Sequence, residues 1–260
     1  MGLRKFTRSL FARPHRTKAS AIADFIKAVR PVDVGLPLMR IGGEGDGGYL
    51  VPDDLDGVRS CFSPGVSNVA DFEAALAARG IRCFLADASV DGAPQANALF
   101  DFEKKYLGST NDDQTTTLGA WIARKALDDS DMVLQMDIEG AEYAVILESS
   151  PETLRRFRIL VVEFHDLHRI GDKLGHQLIK LCFEKLLADF DIVHIHPNNC
   201  ERAVRLHGFE VPPVMEITFI RKDRGGARAP VKSLPHALDR KNIERKADIR
   251  LQPSWFEGSR

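Results

Sequence analysis

Three carboxylates fall within six residues in the segment DIEGAEY, Asp137 to Tyr143, directly after the mainly apolar run MVLQM. Asp137 stands where a strand should end. Glu139 and Glu142 are three apart and so share one face of a following helix. Acids set against apolar chain are costly unless water, a cation or a ligand meets them. The plainer alternative gives Glu139 a helix-dipole role and leaves Glu142 as a solvated acid. A second group lies in EFHDLH, where Glu163, His165 and Asp166 leave the end of the apolar run RILVVEF. An imidazole titrates near neutrality, so His165 suits general-base chemistry; the competing reading is a structural histidine bonded to a backbone carbonyl. His194 and His196 share a face by period two. With no further ligand at fixed spacing they do not make a zinc site, and no metal ligand set is assigned. His196 ends its strand and is followed by Asn198, which places both at the rim of a cleft.

Two further positions carry chemistry only through their placement. Gly65 and Ser67 lie in the turn SPGVSN, where a glycine lets backbone approach a ligand and the next helix offers unpaired N–H groups. Asp87 ends the next apolar run, 22 residues after Gly65. An acid at that spacing suits the two hydroxyls of a ribose. The loop RIGGEGDGGYLV, Arg40 to Val51, has five glycines in residues 42–48. Gly43, Gly45 and Gly48 formally match G-x-G-x-x-G, but the segment that follows reads as extended and then as a turn. It is therefore not a hydride-transfer dinucleotide fingerprint. The loop can still fold over a ligand, with Asp46, Gly47, Gly48 and Tyr49 contributing.

The elements that must position these residues alternate. Helical spacing of apolar residues runs from Ala19 to Val29 and stops at Pro31. Strands are expected over 58–63, 81–87, 132–137, 158–164, 191–197 and 214–221, with a short one over 106–110. Helices are expected over 69–79, 93–105, 117–127, 139–148 and 173–190. This alternation implies βαβ crossovers and a mainly parallel α/β sheet. The continuous apolar character of residues 159–162 fits a strand buried on both faces. The last two strands are joined without a clear long helix, which permits an antiparallel pair at the sheet edge. Residues 1–35 read as a basic segment with one amphipathic helix, 36–222 as the main domain, and 223–260 as a basic, mostly irregular tail.

Composition bounds the rest. With 260 residues, 44% hydrophobic and 28% charged, the chain has the balance of a globular protein with a sizeable core. The formal net charge of −1 excludes a histone-like nucleic-acid binder but hides an asymmetry. Residues 1–35 carry +6, residues 221–260 carry +6, and the part between carries −13. Cys61, Cys83, Cys182 and Cys200 are not at metal-ligand spacing and read as free thiols in a reducing compartment. No apolar run reaches the roughly 20 residues that span a bilayer. A cytoplasmic location is expected.

Taken in order, RIGGEGDGGYLV, SPGVSNVADFE, LADAS, LQMDIEGAEY, VVEFHDL and VHIHPNN resemble the FkbM-type S-adenosylmethionine-dependent methyltransferase family over about residues 38–221. The resemblance implies a Rossmann-like seven-stranded methyltransferase sheet, mostly parallel with an antiparallel last strand. It implies that Gly65 faces the methionine part of the cofactor, Asp87 its ribose, and Asp112 or Asp113 its adenine. Asp137 would lie by the amino-acid part and the transferable methyl. Gly47, Gly48 and Ser67 complete the expected cofactor contacts. Ser63, Pro64 and Ser67 stand where many methyltransferases have an acid and further glycines.

The expected activity is methyl transfer from S-adenosylmethionine to a hydroxyl of a sugar or other small molecule, with a small-molecule or glycan acceptor and no nucleic-acid partner. His165 is the expected base, with Asp137 or Glu139 orienting it or the acceptor. Glu142, Glu163, His196 and Asn198 are the expected acceptor contacts. The same carboxylates also suit a Mg²⁺ ion that binds a sugar diol. A second reading is a non-catalytic module of the same fold that binds an anionic partner through its basic ends. A third, a nucleotide-sugar enzyme using Asp112 and Asp113 as metal-holding acids, is disfavoured because no apolar strand precedes them.

Overall fold

The computed structural model of the protein describes residues 16–126 and 128–257. The basic residues Arg4, Lys5, Arg8 and Arg13 lie outside them. Nine strands and six helices position the site. A hairpin pairs β1 (Leu38–Gly42) with β2 (Gly48–Pro52). The main sheet contains β3 (Ser60–Pro64), β4 (Arg82–Ala86), β5 (Phe100–Glu103), β6 (Met132–Met136), β7 (Phe157–Phe164), β8 (Phe190–Pro197) and β9 (Met215–Arg221). The helices are α1 (Ala19–Ala28), α2 (Asp71–Ala77), α3 (Leu118–Lys125), α4 (Glu142–Glu148), α5 (Pro151–Arg155) and α6 (Lys173–Asp189).

The seven strands run in the order β8-β9-β7-β6-β3-β4-β5. Every pair is parallel except those of β9, which is antiparallel to both β7 and β8. This is the Rossmann-like arrangement that the resemblance implies. The chain moves outward from β3 to β5 and then returns to β6 on the other side of β3. The strand order therefore reverses between β3 and β6, the place where open α/β sheets bind ligands.

Local sequence explains the elements. All eight residues of β7 are buried, as a central strand covered on both faces requires. Thr117 caps α3 by accepting the Ala120 N–H at 3.3 Å, and Arg124 and Lys125 close its negative end. Asp172 caps α6 in the same way, accepting from Gly175 N at 2.7 Å. Ser150 and Pro151 start α5, a short helix that the spacing of apolar residues does not announce.

One expectation is overturned. Residues 93–105 are not a helix; they lead as irregular chain into β5, the edge strand. Phe100 and Phe102 alternate with Asp101 and Glu103, a period of two that suits a half-buried edge. Lys125 pairs with both acids, at 2.9 Å and 3.0 Å. The short strand Tyr106–Leu107 exists, but it pairs with Thr115–Thr116 outside the main sheet.

The two faces are covered differently. Helices α1, α3, α4 and α6 pack on one face against Phe62, Leu134, Leu160 and Phe219. On the other, α2 covers the β3–β4 side, while Ile41, Tyr49 and Val51 of the hairpin pack with Val133, Val161 and Ile220. The hairpin thus does the work of a crossover helix. Thr218 Oγ1 of β9 donates to the Leu50 carbonyl at 2.7 Å and ties the hairpin down.

Residues 223–257 carry little regular structure, yet they are bound along their length to the body. Arg224 pairs with Asp54, Arg228 with Asp191 and Arg240 with Glu44. Trp255 is fully buried, and its indole N–H donates to the Glu210 carbonyl at 3.0 Å. Several of the basic side chains at this end are therefore paired with acids of the body. The four cysteines are free. Among the described residues no helix is long and apolar enough to cross a membrane.

Replacing Thr218 by Val keeps the shape and removes the donor to Leu50. A buried acceptor left unpaired costs about 1–3 kcal/mol. Urea unfolding of Thr218→Val is expected to show that loss as a lower midpoint with an unchanged slope.

Candidate active site

The carboxyl ends of β6, β7 and β8 and the amino end of antiparallel β9 meet in one polar row. Glu163 and Glu216 are direct cross-strand partners, and so are Glu216 and His196. Asp137 follows Met136, the partner of Val162, and so continues the row. Gly65 sits at the reversal point with φ +86°, and a Cβ there would lie 1.6 Å from the Asp137 carbonyl oxygen. Only glycine permits this contact. Its tight side thus faces the neighbouring strand end, and Gly65 also borders a cleft of about 300 Å³ together with Asp46, Tyr49, Ser67, Glu73 and Asp137.

The turn after β6 aims its acids. Glu139 (φ 55°) and Gly140 (φ 101°) are both left-handed, a conformation that costs a non-glycine residue on the order of 1–3 kcal/mol and recurs at functional sites. Glu142 begins α4 and is fully buried. Its Oε1 accepts the Ile138 and Gly140 N–H groups at 3.1 Å each and lies 3.0 Å from His165 Nδ1. In the neutral ring the carboxylate therefore fixes the Nδ1–H tautomer and leaves Nε2 as the acceptor. Nε2 lies 3.4 Å from Glu139, 3.7 Å from Asp137 and 3.9 Å from Glu163. Burial pulls the His165 pKa down, but the Glu142 hydrogen bond and the charges of Glu142, Asp137 and Glu139 raise it to about 8.

The acids respond to the same crowding. Burial lifts Asp137 to about 7, with His165 opposing and Glu139, Glu142 and Asp46 adding to the rise. Burial also raises Glu163 well above the usual carboxylate range, reinforced by Asp137, Glu216 and Asp46. Glu216 rises to about 7 through burial, against the pull of His196 and Asn242. Asp137 Oδ1 and Glu163 Oε2 are buried and accept from no donor among the described residues.

The structure brings Asp137, Glu139, Glu142, Glu163 and His165 together, and it corrects several expected roles. Glu142 is an inward partner of His165, too buried to touch an acceptor. Asn198 is also buried; its Nδ2 donates to Glu163 at 2.9 Å while its Oδ1 accepts from Cys200 N. His196 lies beneath the 223–257 segment, 3.7 Å from Asp239, and does not reach an open cleft. Asp239 accepts from His194 at 2.8 Å. The two histidines hold its carboxyl well below the usual range, although burial opposes them. Gly47 borders the cleft. Gly48 faces the hairpin's own loop instead, where a Cβ would sit 2.0 Å from the Gly43 oxygen.

Asp87 is buried and already engaged. Its Oδ2 accepts Ser67 N at 2.8 Å, and its Oδ1 accepts Ser89 N and Oγ at 2.8 Å and 2.6 Å. A carboxylate offers about four acceptor positions, so Oδ2 keeps one. Ser67 (φ 43°) contributes its backbone and is held in place by Asp87. Asp112 closes its own turn by accepting Gln114 N and Thr115 N at 2.8 Å, and Asp113 is exposed beside it.

Sequence reasoning missed Arg40, Glu73, Gln135, Glu216, Asp239 and Asn242. Arg40 Nε and Nη2 donate to the Gly43 and Gly45 carbonyls at 2.7 Å and 2.8 Å and fix the glycine loop. Glu73 stands at the base of the cleft, bonded to Ser63 Oγ. Ser63 Oγ also lies 2.6 Å from Gln135 Oε1. One hydroxyl proton cannot serve both acceptors, so either the Glu73 carboxyl is protonated or the Gln135 amide turns its nitrogen toward Ser63. Burial raises the Glu73 pKa to about 7, against the Ser63 hydrogen bond, which lowers it. The signal available was a lone acid in the apolar face of α2, and likewise a lone acid inside the apolar run of β9.

Residues 69–192 match the family model of the methyltransferase FkbM domain. No curated protein matches the chain. Among solved structures, a chain of the fibrillarin/Nop5p complex is 9% identical with a TM-score of 0.37, over 64% of this chain and 73% of that one. A structure concerned with the conversion of a disulfide bond into a thioacetal group during echinomycin biosynthesis is 12% identical with a TM-score of 0.31, over 78% of this chain and 90% of that one.

The raised Glu73 pKa fixes a sign. The folded chain binds this proton more tightly than the unfolded chain, so the associated stability is present below about pH 4.5 and is lost as pH rises through about 7. Glu73→Gln keeps a donor toward Ser63 and does not titrate. Thermal unfolding at several pH values is expected to show the variant gaining on the wild type between these limits.

Proposed function

The chain carries a methyltransferase FkbM domain over residues 69–192, and on that premise we propose that it transfers a methyl group from S-adenosylmethionine to a hydroxyl oxygen of a small molecule or glycan. The observation that carries this reading is the His165–Glu142 pair beside Asp137 at the point where the strand order reverses. Once the ring is neutral, as pH rises through about 8, an Nε2 held free by a buried carboxylate is the arrangement that takes a proton from an acceptor hydroxyl.

The residues fit the cofactor. The cleft between the hairpin and the Gly65 turn has carboxylates and the aromatic rings of Tyr49 and Phe72 on its walls. That combination suits a cation. Asp137 Oδ1, buried and without a donor, would accept from the ammonium of the amino-acid end. Asp87 Oδ2 has one acceptor position left for a ribose hydroxyl. Bound there, the cofactor supplies a sulfonium methyl for in-line attack, with the broken C–S electron pair leaving on sulfur. The chain's part is to align the acceptor oxygen and remove its proton. His165 Nε2 takes that proton as the C–O bond forms. Glu142 stabilises the resulting imidazolium through Nδ1–H. Glu139 is exposed and 3.4 Å from Nε2, so it can hold the acceptor hydroxyl against the base.

Calorimetry of the full chain with S-adenosylhomocysteine is expected to give one site per chain; no binding of either this product or the cofactor sinks the reading. Incubation of metabolite extracts with methyl-labelled cofactor, read by mass spectrometry, would identify the acceptor. With that acceptor, His165→Gln is expected to lower kcat roughly 10²- to 10⁴-fold while leaving the affinity for S-adenosylhomocysteine unchanged.

A further inference from the structure

The tip of the glycine-rich hairpin has a second use. Asp46, at that tip, is exposed, but one of its carboxylate oxygens meets one from buried Glu163 and one from buried Glu216, all three within 4.8 Å of one another. We propose that these three carboxylates form a binding site for a hard divalent cation such as Mg²⁺ or Mn²⁺.

The donor set selects the ion class. Oxygen-only ligands favour Mg²⁺, Mn²⁺ or Ca²⁺ over softer metals. Oxygens on opposite sides of such an ion lie about 4.2–4.8 Å apart, given metal–oxygen distances of roughly 2.1–2.4 Å. Three oxygens within 4.8 Å of one another need only small side-chain adjustments to share one such centre, with one pair opposite and the third beside them.

Charge also asks for an occupant. Glu163 and Glu216 are directly opposite across an antiparallel pair, a placement that repels when both are ionised. Among the described residues, no lysine or arginine forms an ion pair with either. Arg40 is the nearest guanidinium to act on Glu216, and it is occupied by the loop carbonyls.

Two observations outside the acidic cluster's own charge point to a ligand. The side chain of Glu163 is 5% exposed, Asn198 fills its Oε1, and its Oε2 is left without a donor. His196, the cross-strand partner of Glu216, is equally buried; its Nδ1 faces Asp239 at 3.7 Å, beyond hydrogen-bond distance, and its Nε2 has no hydrogen-bond partner among the described residues. A single shared proton would relieve one carboxylate pair and leave the third group unserved.

The sequence of the loop follows from this role. Arg40 clamps the carbonyls of Gly43 and Gly45, and the glycines let the tip fold back far enough to bring Asp46 over the strand ends. Asn242 reaches in from the C-terminal segment, with Nδ2 3.3 Å from Asp46 and also bonded to Glu216. The exposed side of Asp46 leaves coordination positions open to water or to acceptor oxygens. Glu163 is 3.9 Å from His165 Nε2, so an ion here would hold a chelating oxygen pair of the acceptor beside the base. That use rests on the methyl-transfer reading; the binding does not.

The test is titration of the full chain with Mn²⁺ alone near neutral pH, followed by the loss of the free-ion electron paramagnetic resonance signal. One ion per chain is expected. Removing a ligand costs at least what removing a ligand's hydrogen-bond partner costs, roughly 10- to 100-fold in affinity. That weakening is expected in Asp46→Asn, whose exposed site leaves folding untouched, and in Glu216→Gln. His165→Ala should keep the ion. No binding, binding indifferent to both carboxylate changes, or binding lost in His165→Ala and kept in Asp46→Asn would each overturn the proposal. Calorimetry with S-adenosylhomocysteine on the same samples separates the two readings. Nucleoside binding without Mn²⁺ removes only the cation site, and Mn²⁺ binding without nucleoside removes only the methyl-transfer reading.

Discussion

Strands buried on both faces must meet solvent somewhere, and here two of them end, and an antiparallel third begins, in acids at one edge. Asp137, Glu163 and Glu216 stand side by side where β6, β7 and β9 meet the rim of the sheet. Burial and mutual repulsion both work against their charge, and each is lifted above its ordinary range. Few changes in the row can be made alone. Removing Glu163 leaves Asn198 Nδ2 without its acceptor, and removing Glu216 takes the nearer of two acceptors from Asn242. Adding bulk at Gly65 drives a side chain into the Asp137 carbonyl. The surrounding structure is arranged to hold this unfavourable row in place.

That arrangement explains why the second face of the sheet carries a hairpin where a helix would be usual. A helix would bury the apolar residues of β6, β7 and β9 equally well. It would not bring a loop tip over the strand ends. The hairpin does both, because Tyr49 and Val51 pack inward while residues 43–47 turn back over the rim. Arg40 makes the turn rigid from within, and Thr218 anchors the strand that carries it. The C-terminal segment completes the enclosure. Asp239 seals His194 and His196 from outside, and Asn242 bridges the hairpin tip to β9.

The parts of this architecture that sequence made legible are those in which one segment carries its own signal. Apolar runs that stop at an acid mark β6 and β7 and their edge, so Asp137, Glu163 and His165 are identifiable from local pattern. The edge strand β5 was not, because Ala93, Ala96, Ala98 and Leu99 lend helical character to the chain just before Phe100. The two-residue alternation that follows is only four residues long. Glu142 was legible as a member of the group but not in its role. Spacing on a helix face does not say whether a carboxylate points to solvent or back toward the preceding turn. Glu73, Glu216, Asp239 and Asn242 belong to segments far from one another in the chain. Only the fold brings them to the cleft and the row, and no local pattern encodes that meeting.

The charge asymmetry of the chain has a structural counterpart in how the acids are sorted. Acids at the periphery receive arginines: Asp54 and Asp131 each bind two, and Asp191 and Glu44 one each. Several of those arginines come from the basic C-terminal segment. The acids of the rim receive none; among the described residues, the only cationic side chain in ion-pair range of Asp137, Glu139, Glu142 and Glu163 is His165. A random scatter of −13 over the body would not leave its most buried members the least neutralised. The protein thus pairs its peripheral acids with arginines, while the rim acids, without such partners, relieve their charge by binding protons more tightly. A site built this way attracts a cation from solution and weakens competition from anionic ligands. The same uncancelled charge supports both a sulfonium in the cleft and a metal ion under the hairpin tip. The two sites adjoin at the loop tip, since Asp46 borders the cleft together with Asp137 while Glu163 and Glu216 lie beneath the loop.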